Sequence, residues 1–337
     1  MTSGLPFDDF RNLIANLPGP DEAAVAAVRE RDAQLTKPAG ALGRLEGIAE
    51  WLAAWTGRPP EVTRPLVAVF AGNHGVAERG VTPFPPSVTA QMVENFAAGG
   101  AAINQICIAN DLGLKVFDLA LDYPTADITQ EPAMDEKTCA ATMAFGMEAI
   151  AGGTDLLCIG EMGIANSTSG AALAHALYGG TAEDWTGPGT GVAGDALSNK
   201  IRVVGAGVEI HKAAMTDGLE ILRHLGGFEL AAIAGAVLAA RMAKIPVILD
   251  GYASTAAAAC LTQLNPAALD HCVVGHLSAE PAHAALLEKL GKVPLLTYGM
   301  RLGEGSGAAV ALGVVKSAVA CHTGMATFAE AGVSGKE

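Results

Sequence analysis

Glu304 is the residue of this chain whose setting best suits proton chemistry. It stands in Leu295-Leu-Thr-Tyr-Gly-Met-Arg-Leu-Gly-Glu-Gly-Ser-Gly307, a glycine-flanked acid between an apolar run and an alanine-rich stretch. That pattern predicts a strand-to-helix turn at the carboxyl edge of a parallel sheet. Open α/β folds bind their ligands there, and the glycines let a substrate approach the backbone closely. A carboxylate so placed offers general-base chemistry. The same tripeptide also suits a plain turn.

A second acid, Glu161, opens Gly160-Glu-Met-Gly-Ile-Ala-Asn-Ser-Thr-Ser-Gly170, which follows the apolar run Leu156-Leu-Cys-Ile159 and leads into another alanine-rich stretch. Backbone amides at such a helix start, with Gly163, Asn166 and Ser167, make an anion-binding nest suited to phosphate. Ordinary capping by Asn or Ser is the plainer alternative. Further on, Thr186-Gly-Pro-Gly-Thr-Gly-Val192 exposes the amides of Gly189, Thr190 and Gly191, and Lys200 adds a point charge. It lacks the Gly-Lys-Ser/Thr ending of a Walker loop and is not the Rossmann dinucleotide fingerprint. Together the two segments imply a monophosphorylated ligand held with no metal and no cofactor. The eight histidines contain no His-Glu-x-x-His spacing, and His271 and His276 are wrongly spaced for one helical face. His74, in Ala71-Gly-Asn-His-Gly-Val76, either bonds a substrate oxygen or fixes its own loop. Asp250 either bonds ribose hydroxyls or caps a helix.

These residues need a scaffold that gathers strand ends. Six short apolar runs recur: Leu66–Phe70, Leu114–Leu119, Leu156–Ile159, Pro246–Leu249, His271–Val274 and Val293–Leu296. Alanine-rich segments around 88–110, 136–151, 167–178, 227–243, 255–263 and 279–291 separate them. Such alternation predicts right-handed βαβ crossovers and an α/β fold: a doubly wound, mainly parallel, six-stranded sheet covered on both faces. A (β/α)8 barrel is the rival, but six runs fall short of eight strands. Residues 1–60, with a helical pattern from about 20 to 56 broken at Thr36–Gly40, read as a smaller helical domain. The tail 322–337 is expected to join it, and 61–321 to form the large catalytic domain.

Half the 337 residues are hydrophobic, enough for one large core. With 35 acidic against 21 basic residues, net charge −14, no basic patch for nucleic acid stands out. The most apolar helix candidate, Ala231–Ala240, is too short for a bilayer needing roughly 20 residues. The first residues lack the cationic and apolar regions of a signal peptide. Six scattered cysteines suggest neither zinc knuckle nor disulfide framework, so a cytoplasmic protein is expected.

Several spaced motifs, in order along nearly the whole chain, resemble one family. They are Lys37-Pro-Ala-Gly-Ala-Leu-Gly-Arg-Leu-Glu46, Asn73-His-Gly-Val76, Val88–Phe96 with Gly99–Asn104, Gly160–Ile164, Gly187-Pro-Gly-Thr-Gly191 and Met300-Arg-Leu-Gly-Glu-Gly-Ser-Gly307. The chain is similar in these to the nicotinate-nucleotide:dimethylbenzimidazole phosphoribosyltransferases, which help assemble the lower nucleotide loop of cobalamin. The resemblance implies transfer of ribose 5-phosphate from nicotinate mononucleotide to 5,6-dimethylbenzimidazole, giving α-ribazole 5′-phosphate and nicotinate. It implies Glu304 as general base, Glu161 as a second active-site acid, and inversion at C1′. Phosphate contacts would come from Gly163, Gly189, Thr190, Gly191 and Lys200. It further implies a homodimer with a Rossmann-like main domain. The base pocket would draw on Asn73, His74, Phe84, Met92, Met300 and Leu302. Some members carry serine, glutamine and aspartate where this chain has Phe84, Met92 and Asn73, which would make the pocket more apolar. Rival readings are a transferase for another lower-ligand base, a nucleosidase or glycosidase using a Glu161/Glu304 pair, and a non-catalytic nucleotide-binding protein.

Overall fold

The computed structural model describes residues 4–334; residues 1–3 and 335–337, the ends of the expected small domain, lie outside them. In chain order the elements are α1 (Pro6–Ala15), α2 (Glu22–Asp32), α3 (Arg44–Thr56), β1 (Pro65–Ala71), α4 (Ser87–Ala97), α5 (Ala102–Asn110), β2 (Gly113–Asp118), α6 (Glu136–Met147), β3 (Leu156–Met162) and α7 (Asn166–Tyr178). Then follow α8 (Ala182–Trp185), α9 (Asp195–His211), α10 (Gly218–Leu225), α11 (Phe228–Met242), β4 (Val247–Leu249), α12 (Tyr252–Ala259), β5 (Cys272–Val274), α13 (Ala282–Lys289), α14 (Ser306–Gly324) and α15 (Phe328–Ala331).

The strands form one parallel sheet in the order β2-β1-β3-β4-β5. Successive side chains of a strand point to opposite faces, and here both faces are covered, which is why the runs are continuously apolar. Ala68, Phe70, Leu157, Ile159, Val247 and Leu249 join a core built from α6, α7, α10, α11 and α12. Val67, Val69, Leu156, Cys158 and Ile248 join a second core with α3, α5 and α14. Strand order reverses between β1 and β3, so their carboxyl ends open a crevice at the switch point.

Among the described residues the sheet has five strands rather than the expected six. The run Val293–Leu296 lies beside β5, with Leu295 N donating to Val274 O at 2.9 Å and Leu296 N to Gly275 O at 3.0 Å, but it makes only one isolated bridge, His276 to Leu296. Pro294 has no amide to extend the ladder, and beyond Leu296 the chain stays beside residues 277–279 through Leu277 N to Leu296 O at 2.8 Å and Ala279 N to Met300 O at 2.9 Å. The single helix expected over 88–110 is two, parted where Gly99 takes φ +77°. Helices α1, α9 and α10 lie outside the segments the sequence pattern picked out.

Asp21 caps α2, and Lys37 in the loop before α3 donates to Asp32 at 2.8 Å and Glu46 at 2.7 Å, so the largely exposed 37–46 motif is clasped to the end of α2 through the Lys37 side chain. The tail returns to it: Thr36 N donates to Ala326 O at 3.1 Å and Phe328 N to Gln34 O at 2.9 Å. Phe7, Phe10 and Ile14 of α1 instead enter the core with α6. Helix α14 is 19 residues and apolar enough by length and composition to cross a membrane. Here Ala308, Ala311, Leu312 and Val315 pack into the second core.

Candidate active site

Glu304 sits on a left-handed turn: Gly303, Glu304 and Gly305 have φ of +84°, +63° and +77°. This geometry costs an L-residue about 1–2 kcal/mol, so something must enforce it. Glu304 N donates to Glu161 O at 3.0 Å. Asp250, just past β4, accepts from Gly305 N at 3.2 Å and Ala308 N at 2.9 Å. It therefore caps α14, across the sheet, rather than the adjacent α12. Gly160 lets the turn lie flat on β3, because a methyl there would come within 2.3 Å of Gly305 N.

Glu304 is 4% exposed and its Oε2 has no hydrogen-bond partner among the described residues. Burial pushes its pKa above the ordinary value, opposed by an amide hydrogen bond from Ile103. Glu161, at the end of β3, accepts a short hydrogen bond from Asn166 Nδ2. Burial pushes its pKa up to about 8; Asn166 opposes this, and the charges of Asp250, Glu229 and Glu304 reinforce it. Burial likewise raises Asp250 to about 7 against the α14 amides.

Two carboxyls raised from 4.5 and 3.8 to about 8 and about 7 hold protons that the unfolded chain has lost. Their stabilisation is complete below the ordinary values and disappears as pH rises through the folded ones. Buried histidines such as His271 and His283, lowered from 6.5 to about 3, act in the opposite sense but are neutral in both states above 6.5. We therefore expect the melting temperature of the ligand-free protein to fall between pH 6.5 and 8, and Glu161→Gln to flatten that fall. A melting temperature rising across this window would contradict the assignment.

Beside the Glu304 turn lies a cavity of about 310 Å³, reaching Glu161, Gly163, Asn166 and Ser167 from β3 and α7, Gly189 and Thr190 from the glycine loop, and Gly303. Glu304 is one residue behind this wall. Phe84 and Leu302 line it and are 47% and 56% exposed. Lys200, on α9, is buried below the surface, its Nζ donating to Ser167 Oγ at 2.9 Å and Gly187 O at 3.0 Å. Burial lowers its pKa to about 8, with Glu280 opposing. Gly191 is exposed and outside the lining; its amide bonds Pro188 O.

Asn73, His74, Met92 and Met300 are outside the lining as well. Asn73 Nδ2 donates to Leu121 O at 2.9 Å. His74 is locked between Glu229 and Ser169. Met92 packs against the second core, and Met300 O accepts from Ala279 N at 2.9 Å. The lining also includes residues to which the sequence reading gave no site role, among them Tyr252, His276, Ser278, Glu280 and Arg301. Glu280 accepts from Gly189 N at 2.7 Å, and Arg301 donates to Gly189 O at 2.8 Å, so both hold the glycine loop. The only sequence signal was their position, in the polar run His276–Glu280 and three residues before Glu304.

A phosphoribosyltransferase family profile matches residues 17–333. A relative from Rhizobium meliloti (strain 1021), named nicotinate-nucleotide–dimethylbenzimidazole phosphoribosyltransferase, is 72% identical over 335 residues, covering 99% of each chain. A relative of the same name from Rhizobium etli (strain CIAT 652) is 71% identical over 334 residues, again covering 99% of each. The crystal structure of the nicotinate-nucleotide–dimethylbenzimidazole phosphoribosyltransferase of Thermus thermophilus is similar with a TM-score of 0.86 and 40% identity, covering 94% of this chain and 100% of that one. With the fold, the paired acids and this likeness along the full length in agreement, the chain belongs to the nicotinate-nucleotide–dimethylbenzimidazole phosphoribosyltransferase family.

Proposed function

We propose that the chain transfers ribose 5-phosphate from nicotinate mononucleotide to 5,6-dimethylbenzimidazole, with Glu304 as general base and inversion at C1′. The observation that carries the assignment of the base is the buried Glu304 carboxylate whose Oε2 lacks a hydrogen-bond partner among the described residues, held on a strained turn beside the cavity. The bond from C1′ to the pyridinium nitrogen breaks and its electron pair returns to the ring, so nicotinate leaves without a general acid. One benzimidazole nitrogen attacks C1′ from the opposite face. The proton on the other nitrogen passes to Glu304, so the product ring is neutral. Its raised pKa makes Glu304 a better proton acceptor than an exposed glutamate.

Ser167, Thr190 and the start of α7 would hold the phosphate, with Lys200 supporting Ser167 from behind and Arg301 as a cation at the lining. The exposed Phe84 ring and Leu302 side chain suit an apolar acceptor. In this reading the enzyme works as a homodimer in the cytoplasm. The small helical domain, expected over 1–60 with the tail 322–337, is proposed here as residues 22–56 with the returning tail, because α1 enters the core with α6.

The test is mass spectrometry of products from nicotinate mononucleotide with a panel of benzimidazoles and purines. We expect nicotinate release to require an acceptor and α-ribazole 5′-phosphate to form with dimethylbenzimidazole. Release of nicotinate without any acceptor would support hydrolysis by the Glu161/Glu304 pair instead.

A further inference from the structure

The glycine loop passes through a slot in the cavity wall, and two of its glycines have no room there for a side chain. A methyl on Gly187 would stand 2.1 Å from Glu280 Oε2 and 3.0 Å from Pro281 Cδ. One on Gly189 would stand 2.4 Å from Ser167 Oγ and 2.7 Å from Lys200 Nζ. Glu280 thus forms one wall of the slot, and Ser167 with Lys200 forms the other. Two bonds of fixed direction pin the Gly189 backbone inside it: its amide donates to Glu280 Oε1 at 2.7 Å, and its carbonyl accepts from Arg301 Nη1 at 2.8 Å. Lys200 Nζ holds the loop two residues earlier, donating to Gly187 O at 3.0 Å. Glu280 is buried, and among the described residues the Gly189 amide is the one hydrogen bond that its carboxyl group makes. The amide expected to face a phosphate is therefore spent on a protein acid. An acid lining a phosphate cavity adds nothing to phosphate binding, and its bond to the loop gives it another use.

We propose that Glu280 and Arg301 are positioning residues for the transfer reaction: by holding the backbone of Gly189 from two sides, they set the spacing between the phosphate seat and the Glu304 turn. The proposal rests on reading the cavity as a transferase site. In that reading the phosphate sits on Thr190, next to Gly189 in the chain, and on Ser167, across the slot from it. The other end of the brace reaches the base. Arg301 precedes Glu304 by three residues, and Glu304 N donates to Glu161 O at 3.0 Å. Glu280 and Arg301 stand on neighbouring runs, joined by Leu277 N to Leu296 O at 2.8 Å and Ala279 N to Met300 O at 2.9 Å. One glycine thus connects the two anchors on which the reaction depends. A ribose 5-phosphate spans a limited length from its phosphorus to C1′, so the spacing of seat and base decides whether the azole proton lies within reach of Glu304.

The experiment is single-turnover kinetics of the full-length protein at saturating nicotinate mononucleotide and dimethylbenzimidazole, with nucleotide affinity measured separately without acceptor. Glu280→Ala removes the oxygen that the Gly189 amide needs. It should slow the step about 10- to 100-fold, the loss that a displacement of up to about 1 Å produces, with affinity changed only a few-fold. Glu280→Gln keeps an oxygen for the amide and should restore the rate to within a few-fold of the parent. Arg301→Met releases the carbonyl of the same glycine and should slow the step to a similar degree, with a further loss of affinity from the missing cation. Because both residues act through one glycine, the double variant should be little slower than the slower single one. Arg301 is exposed, so its variant carries the test alone if Glu280→Ala fails to fold. The parent rate in either folded single variant overturns the proposal. So does a Glu280→Gln protein as slow as Glu280→Ala, and so do losses that multiply in the double variant. Acceptor-dependent nicotinate release by the parent checks the transferase reading separately. Release without an acceptor would sink that reading, while the rates of release in the variants would still report the brace.

Discussion

Glu304→Gln should turn over nicotinate mononucleotide about 10²- to 10⁴-fold more slowly than the parent, the range that a lost general base accounts for, with nucleotide affinity changed only a few-fold. The substitution keeps the shape of a residue that is 4% exposed. It also leaves the backbone bonds of the turn to Glu161 O and Asp250 untouched. What disappears is the acceptor for the azole proton, so the benzimidazole must attack as a neutral azole and form a cationic product. Single-turnover kinetics with the nucleotide bound in excess isolates that step. The parent rate in a correctly folded Glu304→Gln protein would show that another group removes the proton.

Gly160→Ala should lower turnover by about 100-fold, the loss that a misplacement of about 1 Å produces at a reacting centre. No chemical group is removed. Gly160 is on β3 directly beneath the turn, and a methyl there would lie 2.3 Å from Gly305 N and 2.5 Å from Glu304 C. Both contacts are with backbone, so no side chain can rotate aside. Either β3 or the turn must shift, at a cost of about 1–3 kcal/mol, and the turn is pinned by Asp250 and Glu161 at bond distances. The expected signature is a folded protein with a lowered melting temperature, retained nucleotide binding and a depressed kcat. A variant with parent kcat would show that the close approach serves packing alone.

Much of this fold was legible because its strands are buried on both faces, which writes them as uninterrupted apolar runs. Five of the runs became paired strands, and the Val293–Leu296 run failed at Pro294, a local feature visible in the sequence. Helices α9 and α10 were less legible because they follow glycine-rich or polar stretches that read as loop. Their starts beside Asp195 and Asp217 carried the available signal. In the site, local context placed Glu161 at the end of β3, Glu304 just before α14, and Asn166 and Ser167 at a helix start, while the strand expected ahead of Glu304 did not form. Contacts between distant segments were not legible. His74 meets Glu229 across 155 positions, Lys200 reaches back to Ser167, and Asp250 caps a helix 55 or more residues onward. Parallel sheet order decides all three, and no periodicity encodes it.

The left-handed turn at Glu304 also has a consequence for how the sequence drifts. A glycine in place of Glu304 would accept φ +63° without penalty and remove a buried oxygen that no described residue satisfies. Glu304→Gly should therefore melt at a higher temperature than the parent while losing its turnover; a lower melting temperature would refute this. Glutamate codons reach glycine by a single base change, so mutation supplies this more stable, inactive form continually. Only the demand for product keeps the acid in place, and a population freed from that demand should lose it early, with its fold improved.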